Sequence, residues 1–348
     1  MRPALRILPR LRPFRILPAR TYATLNPHTP PPTSPYQVFD EPSKDLQRSR
    51  AIIRLRELQA QSENGSAEEE DGLRVDLKVP PSSILELSSH AGQLTQVLQE
   101  VLADEVPAGT EQTGGEGRRK WWIVDSSPVG EALWRDDDSY FITPPTRIQA
   151  SASDFLKHPE VGPLKEQVEA VVSAGGLHWV GDIVGGLTQV RHLLKPDGVF
   201  VAAVFGGDTI FELRTSLQLA EQERRGGIAN RVSPMISSTD APSLLNRAGF
   251  TSITVDVEDI TVNYPSMWEL IADLRDMGES NAILGRRTAV GRDVLIAASS
   301  IYQEMYGNED GSIPATFSII FLIGWKPGPN QPQPSKRGSG ETSLKDVL

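Results

Sequence analysis

Apolar positions along this chain follow two alternating rhythms, one helical and one of continuous short runs. Ile183, Leu187, Val190 and Leu194 recur at helical spacing, so one face of that segment is made for burial. A Lys195-Pro196-Asp197-Gly198 turn ends it. Val199 to Phe205 then runs without a polar residue, as expected of a strand covered on both faces in a parallel sheet. Gly206 and Gly207 allow a sharp turn at its carboxyl end. Asp208 is placed to cap the next helix, whose buried face is Ile210, Leu213, Leu217 and Ala220.

The same rhythm extends both ways. Val79 to Leu87 reads as a first strand, leading to a helix with Leu94, Val97, Leu98 and Val101. Trp121 to Pro128 gives a second strand ending in a carboxylate, Thr146 to Ala150 a weak third and Val168 to Ser173 a fourth. Asp240 to Gly249 has the pattern of a helix closed by glycine, and Ile253 to Val262 alternates as a strand does. Pro265 to Met277 and Thr288 to Tyr306 are predicted helices inserted before the last strand, Phe317 to Trp325. This succession predicts an α/β fold with a doubly wound, Rossmann-like seven-stranded sheet. Its helical insertion, about 264–306, would stand at the carboxyl ends of the strands, where such sheets bind ligands.

Composition divides the rest. Residues 1–35 carry arginines at 2, 6, 10, 12, 15 and 20 and no acidic residue, as a mitochondrial presequence and linker would. Four prolines, Pro3, Pro9, Pro13 and Pro18, keep a disordered basic tail as the competing reading. Residues 36–75 form a helical and then acidic segment: Tyr36 to Leu58 has a charged helical pattern, and Gln61 to Gly72 is predicted to be a loop. The main domain is expected over 76–326, with a polar insertion at Ala103 to Lys120. The Pro/Gly/Ser-rich tail, 327–348, is expected to fray. No apolar run reaches spanning length, which leaves peripheral membrane attachment open.

Subtracting the six leader arginines from 35 basic residues leaves 29 against 45 acidic ones, so nucleic acid is a poor electrostatic match. The chain has no cysteine. Thiol nucleophiles, disulfides, cysteine-ligated zinc and iron-sulfur clusters are thereby excluded.

The segments GLHWV, LKPDGVF, FGGDTIFELR, SLQLAE, RAGF, VNYPSMWEL, LRDMGESN, YQEMYGNEDGSIPATF and IGWK, with YQVFDEPSKDLQR near the start, carry a family likeness. Together they resemble the mitochondrial methyltransferase-like assembly factors of respiratory complex I, described as protein arginine hydroxylases. The likeness runs from about Val168 to Lys326. The carboxyl methyltransferases of biotin synthesis are more distantly similar. The resemblance implies a class I S-adenosylmethionine-dependent methyltransferase fold, a matrix location with possible contact to the inner membrane, and action on an arginine of a complex I core subunit beside other assembly factors.

It also implies a cofactor site, and here the chain departs from the family pattern. S-adenosylmethionine folds place an acidic residue and then Gly-x-Gly-x-Gly after the first strand, because glycine admits the ligand without a clashing β-carbon. The matching run is Glu86-Leu87-Ser88-Ser89-His90-Ala91-Gly92. Ser88 and His90 replace two glycines, and the His90 imidazole would project toward the cofactor. The helix that precedes the first strand in the family is expected to be reduced to the acidic loop, leaving the pocket open to water. Asp125 with Ser126 ends the second strand, where a carboxylate accepts bonds from ribose hydroxyls; equally, Asp125 can cap the following helix. Asp154 and Phe155 are placed to meet an adenine, or to be a loop carboxylate and a core ring. Ser173 ends the fourth strand near the expected sulfonium.

Substrate residues are expected after the fourth and fifth strands. His178 and Trp179 are candidate pocket walls or core aromatics. Asp208 and Glu212 can pair with a guanidinium, or belong to a capped helix with a solvated face, followed by Arg214. Glu279, Ser280 and Asn281 read as a polypeptide contact or a solvated loop. His158-Pro159-Glu160 has half the spacing of an iron site without a partner, and no metal is assigned. Three functions follow: arginine hydroxylation in complex I assembly, methyl transfer from S-adenosylmethionine to a protein, and a non-catalytic assembly chaperone.

Overall fold

A computed structural model describes residues 38–61, 80–88, 92–103, 119–126, 141–284, 286 and 289–331. The leader, the acidic loop after Gln61, Ser89, His90, Ala91, Ser127, Pro128 and the tail beyond 331 lie outside the described residues.

In chain order the elements are α1 (Glu41–Gln61), β1 (Ser83–Leu87), α2 (Gln93–Val101), β2 (Lys120–Asp125), β3 (Thr146–Gln149), β4 (Val168–Ala174), α3 (Ile183–Leu193), β5 (Leu194–Phe205), α4 (Phe211–Arg225), α5 (Ala241–Ala248), β6 (Thr251–Tyr264), α6 (Met267–Asp276), α7 (Arg292–Tyr306) and β7 (Ile313–Trp325). The strands form a seven-stranded sheet in the order β3-β2-β1-β4-β5-β7-β6. The first five strands of the chain run parallel, and β7 enters antiparallel between β5 and β6. From β1 the chain winds outward to β2 and β3, then returns to β4 on the other side of β1. That reversal opens a crevice at the carboxyl ends of β1 and β4, the place where doubly wound sheets hold ligands.

Each layer follows from its residues. Leu85, Val171, Phe200 and Val204 on the sheet pack with Leu187 and Val190 of α3 and Leu245 of α5 in the main core. A second cluster joins α4, α6 and α7 to the front of β7 through Leu217, Leu270, Ala298, Tyr302 and Phe317. The helical insertion therefore has its own apolar packing beside the crevice.

The structure revises several local expectations. The Lys195–Gly198 turn is absorbed into β5 as a bulge: register slips between Val168 and Ala170, and Asp197 takes a left-handed φ of 63°. β7 starts four residues before Phe317, because its pairing with β6 continues to Ile313 opposite Tyr264. After β5 the left-handed residue is Ile210, at φ 47°, and not Gly206 or Gly207. Its amide donates to the Thr316 carbonyl and its side chain is buried in the second cluster, which holds a β-branched residue in a conformation it rarely adopts. Ile210 is thus the N-cap of α4, and the exposed side chain of Asp208 does not cap that helix.

Candidate functional site

At the tip of β1 the altered glycine motif keeps its backbone course. Ser88, at the first glycine position, has φ 58°, buried beneath its neighbours, and its amide donates to the Val124 carbonyl at 2.8 Å. A left-handed serine is strained by about 1–2 kcal/mol, and such strain concentrates at functional sites. Glu86 is buried, and its carboxylate accepts from the Thr95 amide at 2.9 Å and the Thr95 hydroxyl at 2.5 Å. An anion there ties the motif to the amino end of α2, where the helix dipole favours it. Leu87 belongs to the core. Gly92 is the N-cap of α2 at φ 82°, and a β-carbon on it would stand 2.5 Å from Ile123 Cδ1.

Asp125 is buried at the end of β2, and its backbone carbonyl accepts from the Ala150 amide. Ser126 beside it donates from Oγ to Asp45 Oδ1 at 2.6 Å. Asp45 is on α1, and this contact corrects the expectation of an uncovered pocket. α1 lies across the strand ends: Glu41 accepts from Ser153 Oγ at 2.6 Å, and Arg48 Nη2 donates to the Gly176 carbonyl at 3.1 Å. The arm preceding it pairs Phe39 with Ile283, and Asp40 holds Arg286 at 3.0 Å.

Past β4 a buried ionic cluster closes the crevice. Glu279, whose sequence context suggests a solvated loop or a polypeptide contact, instead turns its side chain inward, only 7% exposed, accepting from Trp179 Nε1 at 2.8 Å and facing His178 Nε2 at 3.0 Å and Lys44 Nζ at 3.4 Å. Lys44 also donates to the Gly278 carbonyl at 2.5 Å and sits 3.3 Å above the centre of the Trp179 ring, whose edge meets Phe39. A carboxylate and an indole face together make a cage for a cation. Burial lowers the Lys44 ammonium to about 7 and also lowers the His178 imidazole. Neutral His178 with its proton on Nε2 toward Glu279 leaves Nδ1 as an acceptor, and that buried atom has no partner. Ser88 Oγ, Ser173 Oγ and Arg48 Nε are likewise buried without a partner. Four such atoms around one strand-end crevice are the mark of an absent polar ligand or water.

The Lys44 environment sets a pH dependence. Its folded value, about 7, lies below the ordinary 10.5, so between those limits the unfolded chain binds more protons and stability rises with pH. Wild type minus Lys44→Met stability is therefore expected to grow from pH 7 to pH 10, by at most about 1.4 kcal/mol per pH unit. Urea denaturation at several pH values measures it; a flat difference would show that Lys44 is hydrated.

Other predicted residues lie elsewhere. Phe155 is wholly buried in the main core, so its ring is committed to packing and not to a ligand face, while Asp154 is exposed and pairs with Lys157. Glu212 is neither solvated nor in the crevice: it is buried, accepting from Thr316 Oγ1 at 2.5 Å and so pinning β7. Arg214 donates to the Thr209 carbonyl. Asn281 holds the loop itself, bonding Ser233, the Ile283 amide and the Asn230 carbonyl. His158 Nδ1 accepts from the Glu160 amide, a turn contact. Lys44, Asp45 and Arg48 meet the strand ends, and sequence reasoning does not single them out. Their signal is the i, i+4 spacing of Lys44 and Arg48 on a helix also burying Ser49 and Ile52.

Sheet order, the inverted seventh strand and a crevice at β1 and β4 define a protein of the class I methyltransferase fold. No family model matches the chain. The mitochondrial arginine-hydroxylase NDUFAF5 of Danio rerio is 51% identical over 197 residues, 56% of this chain and 61% of its own. A putative methyltransferase of Rickettsia prowazekii is 34% identical over 58% of this chain and 77% of its own. The solved structure of a putative methyltransferase from Bacillus halodurans matches with TM-score 0.45 and 13% identity, over 71% of this chain and 93% of that one. The chain belongs to the family of that putative methyltransferase of Rickettsia prowazekii. It spans 58–66% of the length of the curated relatives named arginine-hydroxylase, to which it is 38–51% identical.

Proposed function

We propose that this protein hydroxylates an arginine of a complex I core subunit during assembly in the mitochondrial matrix. The observation that carries the reading is the cage of Glu279, Trp179 and His178, which holds the amino group of Lys44 beside the crevice. A guanidinium has the charge and the flat face to take the place of the Lys44 head group in that cage. Relatives named mitochondrial arginine-hydroxylase support the chemistry. No helix among the described residues is long and apolar enough to cross a membrane.

The crevice fits S-adenosylmethionine as a cofactor: Asp125 at the end of β2 suits a ribose, and the unpartnered Ser88, Ser173 and Arg48 atoms suit a polar ligand between β1 and β4. When bound, that cofactor would supply an electrophilic sulfonium, which serves methyl transfer; hydroxylation would take its oxygen atom from a separate oxidant such as dioxygen, with a two-electron reductant for the second oxygen atom. The chain's own residues bind and screen: Glu86 sets the β1 tip, α1 excludes water, and His178 Nδ1 offers an acceptor for a proton. The Rickettsia relative, named a putative methyltransferase, supports methyl transfer to a protein as the second reading.

In mitochondria lacking the protein, mass spectrometry of the purified core subunits is expected to show loss of a one-oxygen mass increase on an arginine peptide. Wild type restores it and Glu279→Gln restores less than about a tenth, one buried charge-assisted bond being worth about 1.5–3 kcal/mol. Unchanged hydroxylation without the protein removes this reading; loss of a methyl mass in its place moves the conclusion to the second.

A further inference from the structure

Arg48 is the anomaly of the crevice. It is 3% exposed, its bond is to a neutral acceptor, the Gly176 carbonyl, and its Nε has no partner. The neighbouring carboxylates are engaged elsewhere: Asp45 feels the Arg48 charge but accepts from Ser126, and Glu279 accepts from Trp179 and faces Lys44 and His178. A buried guanidinium with no carboxylate bonded to it is unfavourable, and proteins keep such a group where a ligand supplies the countercharge.

A second donor meets it. A β-carbon on Gly176 would stand 2.1 Å from Ser88 Cβ, 2.9 Å from its Oγ and 3.2 Å from Arg48 Nη2, so the Ser88 side chain packs directly on the Gly176 backbone with the guanidinium beside it. Ser88 Oγ is also unpartnered, and its residue is held in a strained left-handed backbone. Ser88 Oγ and Arg48 Nε have no acceptor, and Arg48 Nη2, which donates to the Gly176 carbonyl, has a second hydrogen, so the Nε–Nη2 edge of the guanidinium can still meet a carboxylate with two parallel bonds. Arg48 is not needed to hold α1, since Lys44, Asp45 and Glu41 already tie that helix to Gly278, Ser126 and Ser153.

We propose that Arg48 and Ser88 bind the α-carboxylate of an amino-acid moiety carried by the cofactor. This rests on the reading that the crevice takes an S-adenosylmethionine-type ligand. With the ribose at Asp125 on β2, the amino-acid end extends toward β1 and β4, where these two donors stand.

Two nucleosides isolate the carboxylate. S-adenosylhomocysteine carries it, and 5′-methylthioadenosine has the same nucleoside thioether without it. By calorimetry, Arg48→Gln is expected to weaken S-adenosylhomocysteine about 10- to 100-fold and leave 5′-methylthioadenosine unchanged. Ser88→Ala is expected to weaken the first ligand several-fold and serves if Arg48→Gln does not fold. Ligand-free Arg48→Gln is expected to melt at or above the wild-type temperature, since it removes a buried charge that lacks a bonded counterion. Equal weakening of both nucleosides, or a lower melting temperature for the ligand-free variant, makes Arg48 a structural residue and overturns the proposal. If neither nucleoside binds wild type, the cofactor reading fails separately. Stabilisation by millimolar L-methionine, present in wild type and absent in Arg48→Gln, then still supports the carboxylate site, and no stabilisation in either overturns it.

Discussion

Glu279→Ala is expected to cost about 3–5 kcal/mol and to free α1 from the strand ends. The wild-type carboxylate meets Trp179, His178 and Lys44 in a buried cluster, and Lys44 is only 4% exposed. Removing it leaves Lys44 with only the Gly278 carbonyl and the indole face as partners, so the side chain stays buried only by giving up its proton. Losing one partner of a buried pair is therefore far more damaging than replacing both by apolar groups. Denaturant melts give the free energy, and limited proteolysis reports α1 through early cleavage after Lys44 or Arg48. Glu279→Gln keeps oxygen and nitrogen at the same position and is expected to cost less. A loss below about 1 kcal/mol with α1 protected as in wild type would mean that the cluster is hydrated and does not latch the helix.

Gly92→Ala is expected to cost about 2–5 kcal/mol, from two additive sources. A non-glycine residue at φ 82° loses about 1–2 kcal/mol, and forcing a methyl to 2.5 Å from Ile123 Cδ1 adds about 1–3 kcal/mol of overpacking. Ile123 is fully buried, which limits how far its Cδ1 can yield, and the half-buried Phe141 ring stands 3.0 Å from the same point. Gly226 provides the control: it too is left-handed, at φ 67°, with nothing within 4 Å of an added methyl, so Gly226→Ala should show the backbone cost alone. Comparable losses at the two glycines, measured by urea denaturation, would refute the close packing of α2 on β2. Ser88 carries a side chain on a left-handed backbone because its neighbour at that point is Gly176, which has no β-carbon, whereas a β-carbon on Gly92 would meet Ile123 and Phe141.

The sheet is legible from the chain because it rests on apolar periodicity. Val199 to Phe205, Val168 to Ser173 and the face of α3 are apolar where the core demands it, and each stands where the pattern predicts. Boundaries shift where backbone pairing outlasts the apolar signal, as at Ile313, or where a turn is folded into a strand, as at Asp197. The strand-end positions are legible from topology: Asp125 and Ser126 stand at the end of β2, Ser173 at the end of β4, and His178 and Trp179 just after it. The same reasoning places Phe155, Asp208 and Glu212 in the site, yet they go to the core, to solvent and to β7, because adjacency to a strand end does not say which way a side chain turns.

From the sequence alone came the alternation of strands and helices, the position of the crevice and the altered glycine motif, all of which depend on neighbours close along the chain. Only the tertiary structure decided that α1 is a cover and that its buried stripe is Lys44, Arg48, Ser49 and Ile52. Polar side chains at helical spacing read as a solvated face until their partners are known. Glu279 and Gly278, separated from Lys44 by 235 and 234 positions along the chain, make that face an interior one by supplying the charge and the carbonyl that a buried lysine requires.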